Sequence, residues 1–179
     1  MNRRTGILCL LLLLLAGTAY AQDRLERDPG YVDFGSLNAS FSGEPTLEVN
    51  VKGGLLKLVA EASRFEDPEL ASLLRKLKAI QVRGFRVDGA QFDGAARQAT
   101  SIARKLESRG WDTVIRVREY NEHVDMYVKV VDDAIAGLVV MVVGNGDDDT
   151  IFLNIVGEID PEEVGRIGRK FNIGKLNDW

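Results

Sequence analysis

WDTVIRVREYNEHVDMYVKVVDDAIAGLVVMVVGNGDDDTIFLNIVGE, from Trp111 to Glu158, is the stretch that decides the fold. Trp111, Thr113, Ile115 and Val117 alternate with Asp112, Val114, Arg116 and Arg118, and Val124, Met126, Val128 and Val130 set the same two-residue period in the next segment. Polar turns at Glu119 to Glu122, at Asp132-Asp133 and at Gly144-Asn145-Gly146-Asp147 divide the stretch into four strands. None of these connections has room for a helix. Each strand therefore runs antiparallel to the one before it, and residues 111–158 are expected to form a four-stranded meander.

The strand from Ile135 to Val143 differs from its neighbours because both of its faces are apolar: Ile135, Val139, Met141 and Val143 on one, Ala136, Leu138, Val140 and Val142 on the other. A sheet with one solvated face would place polar groups on the second. Either this strand is covered on both sides by the leader and tail, or it joins Val131, Phe152 and Val156 in an apolar strip that meets a partner. Leu138, Val140, Val142 and Phe152 are accordingly candidate partner-binding residues, for an envelope protein or a second copy of the chain. Arg116, Arg118, Tyr127 and Lys129 fall on the strand faces opposite the expected core. They are read as a solvated sheet face or, alternatively, as a small basic patch for an acidic ligand, lipid headgroup or peptide.

Working outward, Phe92, Ala95, Ala96, Ala99, Ile102, Ala103 and Leu106 make one helical stripe between about Ala90 and Arg109, ended by Gly110. Before it, Ala79 to Val87 reads as a strand whose alternation slips from Ile80 and Val82 to Phe85 and Val87 across Gly84, which suggests a bulge. Asp67-Pro68-Glu69 starts a helix carrying Leu70, Leu73, Leu74 and Leu77. Leu55 to Ala62 has helical spacing too, and Thr46 to Val51 alternates as a first strand. Gly53-Gly54 between those two resembles a phosphate cradle but lacks a third spaced glycine and a following Lys-Ser/Thr, so a tight strand-to-helix turn is the expectation. After the meander, Asp160-Pro161-Glu162-Glu163 signals a last helix with Val164, Ile167 and Phe171 facing inward. The sum is an α+β domain over residues 46–173: a mostly antiparallel sheet, four strands of meander plus two earlier ones, with helices packed on one face. A flexible leader (22–45), leaning on the domain through Tyr31 and Phe34, and a short tail (174–179) flank it.

The 179 residues are 45% hydrophobic and 28% charged, with net charge −4 and a single cysteine and histidine. Arg3-Arg4, the apolar run from Ile7 to Ala16 and Ala19-Tyr20-Ala21 have the organisation of a secretory signal peptide over residues 1–21, cleaved between Ala21 and Gln22. The run is too short for a bilayer span, which needs about 20 apolar residues. Cys9 lies inside it, after Leu8, where a lipid anchor is not expected. The remaining 158 residues, with net charge −6 and no cysteine, are expected in the periplasm as one domain without disulfides or a transmembrane segment. Such an acidic chain is a poor match for nucleic acid, whose phosphates are bound by clustered Lys and Arg.

Catalytic chemistry is sparsely provided, and no cofactor is expected. His123 sits in a hairpin between Glu122 and Asp125, where a solvated turn is the ordinary role; the alternative is a hydrolase or transferase using Asp125 or Glu158 with His123. Asp147-Asp148-Asp149 has oxygen ligands but neither the alternating spacing nor the closing glutamate of a calcium loop, so no metal site is expected.

Leu47-Glu48-Val49-Asn50-Val51 with the Gly-Leu-Leu helix after it, Leu77-Lys78-Ala79-Ile80-Gln81-Val82-Arg83, and Ile151-Phe152-Leu153-Asn154-Ile155-Val156-Gly157-Glu158-Ile159-Asp160 together resemble the bacterial exported family DUF4252, over about residues 45–173. The resemblance implies a small cell-envelope protein and brings no reaction, cofactor or catalytic residue with it. The function expected is that of a non-enzymatic domain that binds a partner or senses envelope conditions through a sheet face.

Overall fold

The computed structural model describes residues 24–34, 44–87, 90–119, 122–144 and 149–160. In chain order the elements are β1 (Leu47–Lys52), α1 (Gly53–Ser63), α2 (Pro68–Lys76), β2 (Leu77–Arg86), α3 (Phe92–Ser108), β3 (Asp112–Arg118), β4 (Glu122–Val131), β5 (Ala134–Gly144) and β6 (Asp149–Ile159). They build an α+β fold around one six-stranded sheet in the order β1-β2-β6-β5-β4-β3, with every pairing antiparallel. The meander β3 to β6 forms as the alternation requires, and β2 joins its far edge through β6. The signal segment, the Asp147-Asp148 part of the acidic run and the last helix expected after Asp160 lie outside the described residues.

Local chemistry sets the boundaries. The Asp67 carboxylate accepts the Leu70 N–H at 3.2 Å and Pro68 takes the first helical position, so α2 starts where its cap is. Gly110, at φ +74°, ends α3, and the Trp111 N–H returns to the Leu106 carbonyl at 3.1 Å. Asp132 and Asp133, at φ 50° and 63°, make the two-residue turn between β4 and β5 in the left-handed conformation that matches strand twist.

The two faces of the sheet are covered differently. On the first, α3 and residues 30–34 pack over Phe85, Tyr127, Val139, Met141 and Phe152, with Trp111 in the same cluster. The alanines of α3, Ala95 and Ala99, sit against Val143 and Val87. On the second, the hairpin of α1 and α2 buries Leu56, Ala60, Ala71 and Leu74 against Val51, Ile80, Ile155 and Leu138, which form one cross-strand row at one end of the sheet. Helices on one face is thus a description of α3; α1 and α2 close part of the other.

Four register shifts, two of them at the same place in β5, move side chains away from the faces that simple alternation assigns. The register shifts between Thr113 and Ile115, so Trp111 points under α3 while Ile115 and Val117 turn to the second face. A second shift, between Ile135 and Gly137, sends Ile135 to the α1–α2 side with Leu138 rather than with Val139. The last lies between Leu77 and Ala79, opposite Gly157 at φ +136°. The bulge expected at Gly84 is absent: Leu47, Gly84 and Ile151 pair in unbroken register. What slips there is the location of the core, because Ile80 and Val82 serve the second face and Phe85 and Val87 the first.

Residues 28–34 cross the first face at close range. A Cβ on Gly30 would lie 2.0 Å from the Ala136 carbonyl oxygen, and one on Gly137 would lie 2.5 Å from the Gly30 Cα. Only glycines permit that approach. Asn154, fully buried on β6, fixes it: its Nδ2 donates to the carbonyls of Gly30 (3.0 Å) and Leu138 (3.2 Å), and its Oδ1 accepts the Val32 N–H (3.0 Å). Val32 and Phe34 are buried beyond it.

Candidate functional site

Apart from Phe152, the two groups of site residues read from the sequence end up on opposite faces of the sheet. On β4 the expected core residues Val124, Met126 and Val128 are only partly buried, whereas Asp125 and Tyr127, on the face expected to be solvated, are fully buried. Arg116 and Arg118 reach over Asp125 from β3. Arg118 Nη2 donates to both carboxylate oxygens, at 2.8 and 2.7 Å, and Arg116 Nε donates to Oδ1 at 3.1 Å. Arg116 Nη2 also donates to Glu107 of α3 at 2.6 Å and to the Tyr127 hydroxyl at 2.8 Å. That guanidinium holds the Glu107 carboxyl below its usual pKa, and burial pushes the Tyr127 hydroxyl up. Lys129 Nζ donates to the carbonyls of Arg109 and Gly110 at the end of α3, at 2.6 and 2.9 Å. The basic patch is therefore not an open anion surface. Each of its cations is engaged, Arg116 and Lys129 in joining the sheet to α3 and Arg118 in binding Asp125 within the sheet, and Tyr127 is part of the core.

Nor do the candidate acid–base residues converge. His123 and Asp125 share a face of β4, but Asp125 already accepts three bonds from arginines. His123 lies edge-on to Phe92 at 5.2 Å, and burial, followed by the charge of Arg118, lowers its pKa against the opposing pull of Asp125. Glu158 is exposed near the end of β6. The pairings place it beyond the Val156–Gly137 row, whereas His123 pairs with Val143, so about six residues, roughly 20 Å along the strands, separate them. Among the described residues no group of three or more His, Cys, Asp or Glu is placed to hold a metal ion.

Leu138, Val140 and Val142 do share the second face, but Phe152 does not. β6 pairs with β5 so that Val140 meets Leu153 and Val142 meets Ile151, while Phe152 meets Met141 on the first face and is completely buried there. Val156 is buried on that first face too. The strip on the second face is longer than alternation within β5 revealed. One row runs Val49–Val82–Leu153–Val140–Met126–Ile115 across all six strands, and the next runs Leu47–Gly84–Ile151–Val142–Val124–Val117. No polar side chain interrupts either row. The residues of both rows stay partly exposed except at Gly84, rising at the two edge strands to 43% for Leu47 and 37% for Ile115. Rows of this kind depend on register, which a single strand does not carry.

A family model described as a domain of unknown function, DUF4252, matches residues 41–167. The chain belongs to the DUF4252 family. The match begins before β1 and runs past β6, so in this DUF4252 protein it takes in every strand of the sheet and both of its faces. No curated protein and no solved structure matches the chain. Among the described residues of the DUF4252 chain, no helix is long and apolar enough to cross a membrane.

Proposed function

We propose that this protein is an exported, non-enzymatic binding domain of the bacterial cell envelope, and that it docks through the second sheet face, centred on Val140. The observation that carries the reading is the pair of uncharged aliphatic rows crossing all six strands beyond the reach of the α1–α2 hairpin. A contiguous apolar surface of that extent favours a protein contact over solvent. The occupant assigned is a second copy of the chain: two rows without charge ask only for equally apolar rows, and aligned packing of two sheets about 10 Å apart supplies them by two-fold symmetry. Export rests on the charged, apolar and small-residue order of residues 1–21.

Light scattering on residues 22–179, with Val140→Lys beside the parent, tests the docking. A dimeric parent and a folded, monomeric variant are expected, because a lysine at the centre of an isologous contact meets its own copy. A monomeric parent whose Val140→Lys variant misfolds overturns the reading and assigns the face to burial by the chain itself. Cell fractionation tests the address, with release of a protein beginning at Gln22 into the periplasm as the expected result.

A further inference from the structure

We propose that the cleft at the base of α1 is a binding site for a phosphate-bearing anion. The cleft encloses about 950 Å³ and is bordered by six cationic side chains, Arg24, Lys52, Lys57, Arg75, Lys76 and Lys78. Its one carboxylate, Asp28, is engaged: it accepts from Lys78 at 2.6 Å and from the Gly30 N–H at 3.0 Å. Arg75 pairs with Glu61 at 3.1 Å, whereas Arg24, Lys52 and Lys57 have no ion-pair partner among the described residues. In a protein of net charge −4, such a local excess of cations runs against the average. It raises the concentration of anions at the cleft.

Gly53 and Gly54 form part of the same wall, at the abrupt strand-to-helix turn that the sequence suggested, where β1 ends at Lys52 and α1 begins at Gly53. Neither has a positive φ, a Cβ on Gly54 would meet nothing within 4 Å, and one on Gly53 would make only an ordinary 3.6 Å contact with the Lys78 carbonyl. Neither backbone conformation nor packing asks for glycine at either place. What the missing side chains do is uncover the first N–H groups of α1, which have no intrahelical acceptor, in a helix with no acidic residue in its first turn and no side-chain cap. The volume suits a phosphate with a modest organic group attached. Both a soluble phosphate and a phospholipid headgroup carry that chemistry, and the exposed leucines Leu55 and Leu58 on α1 make the second source worth a separate arm.

The test uses residues 22–179 and two probes: pyrophosphate followed by amide NMR shifts, and co-flotation with phosphatidylglycerol vesicles against phosphatidylcholine ones. The expected result is saturable binding of one probe, with shifts or protection centred on Lys52 to Lys57, weakened about tenfold or more in the exposed pair Lys52→Gln/Lys57→Gln. Gly54→Ala is expected to weaken binding as well while leaving the melting temperature unchanged or higher, since alanine favours the helix by up to about 1 kcal/mol. Saturation by pyrophosphate identifies a soluble anion, and vesicle binding alone identifies a headgroup. Binding of neither probe overturns the proposal, and so does binding that the double substitution leaves intact. None of these outcomes bears on the oligomeric state through which the sheet face is tested.

Discussion

The two faces of the one sheet are built on different principles. The first carries aromatic rings, a buried amide and a buried carboxylate, each with partners fixed to within a hydrogen bond, and it is closed by α3 and by residues 28–34. Among the described residues, the second is closed at one end by α1 and α2, and the two aliphatic rows beyond them carry no polar side chain. Directional contacts select one cover, and the first face has one. Aliphatic rows accept any apolar surface of the right shape, which is the property of a docking face.

Substitutions can break this contrast or sharpen it. The largest effect is expected at the backbone crossing: Gly137→Val places carbon against the Gly30 backbone, which cannot yield as a side chain does, and should cost about 3 kcal/mol or more in denaturant unfolding. Met141→Ala on the first face should cost about 2–5 kcal/mol, and Val140→Ala, its neighbour on the second, about 1 kcal/mol in the monomer; equal losses would dissolve the distinction between the faces. Asn154→Ala leaves the Val32 N–H and the Gly30 carbonyl without their partner and is expected to cost about 1–3 kcal/mol, with faster proteolysis of residues 24–34 as the local sign. Thr150→Val should stabilise by about 1 kcal/mol, since the buried Thr150 hydroxyl has no hydrogen-bond partner among the described residues.

The smallest expected effect is on pH dependence. The folded protein holds His123 below its usual pKa through burial and the Arg118 charge, so the neutral ring is the form that folding favours. The stability linked to it is complete above the unfolded value near 6.5 and is lost as pH falls through the lower folded value. Melting temperatures of the parent should therefore fall more steeply below pH 6.5 than those of His123→Gln.

Much of the architecture was legible from the residues. Alternation with short polar turns dictated the meander, Asp67-Pro68 and Gly110 marked helix ends, and the alanines of α3 announced close packing. The faces were not legible, because a bulge adds one residue and reverses every assignment beyond it without a distinctive local signature. Thr113 and Ile115 share a parity in the sequence but not in the sheet, and Arg116, Asp125 and Tyr127 looked solvated until α3 was seen to lie over them. The basic cleft was invisible for a different reason, since it gathers residues from positions 24 to 78 that only the approach of three segments brings together.

By itself the sequence determined what is local: the strand and helix periods, the caps, the turns, and a composition poor in catalytic residue types. Tertiary structure decided which residues share a face and which charges find partners. Those properties follow from cross-strand register and from contacts between segments far apart in the chain, and neither is encoded in the spacing along any one strand.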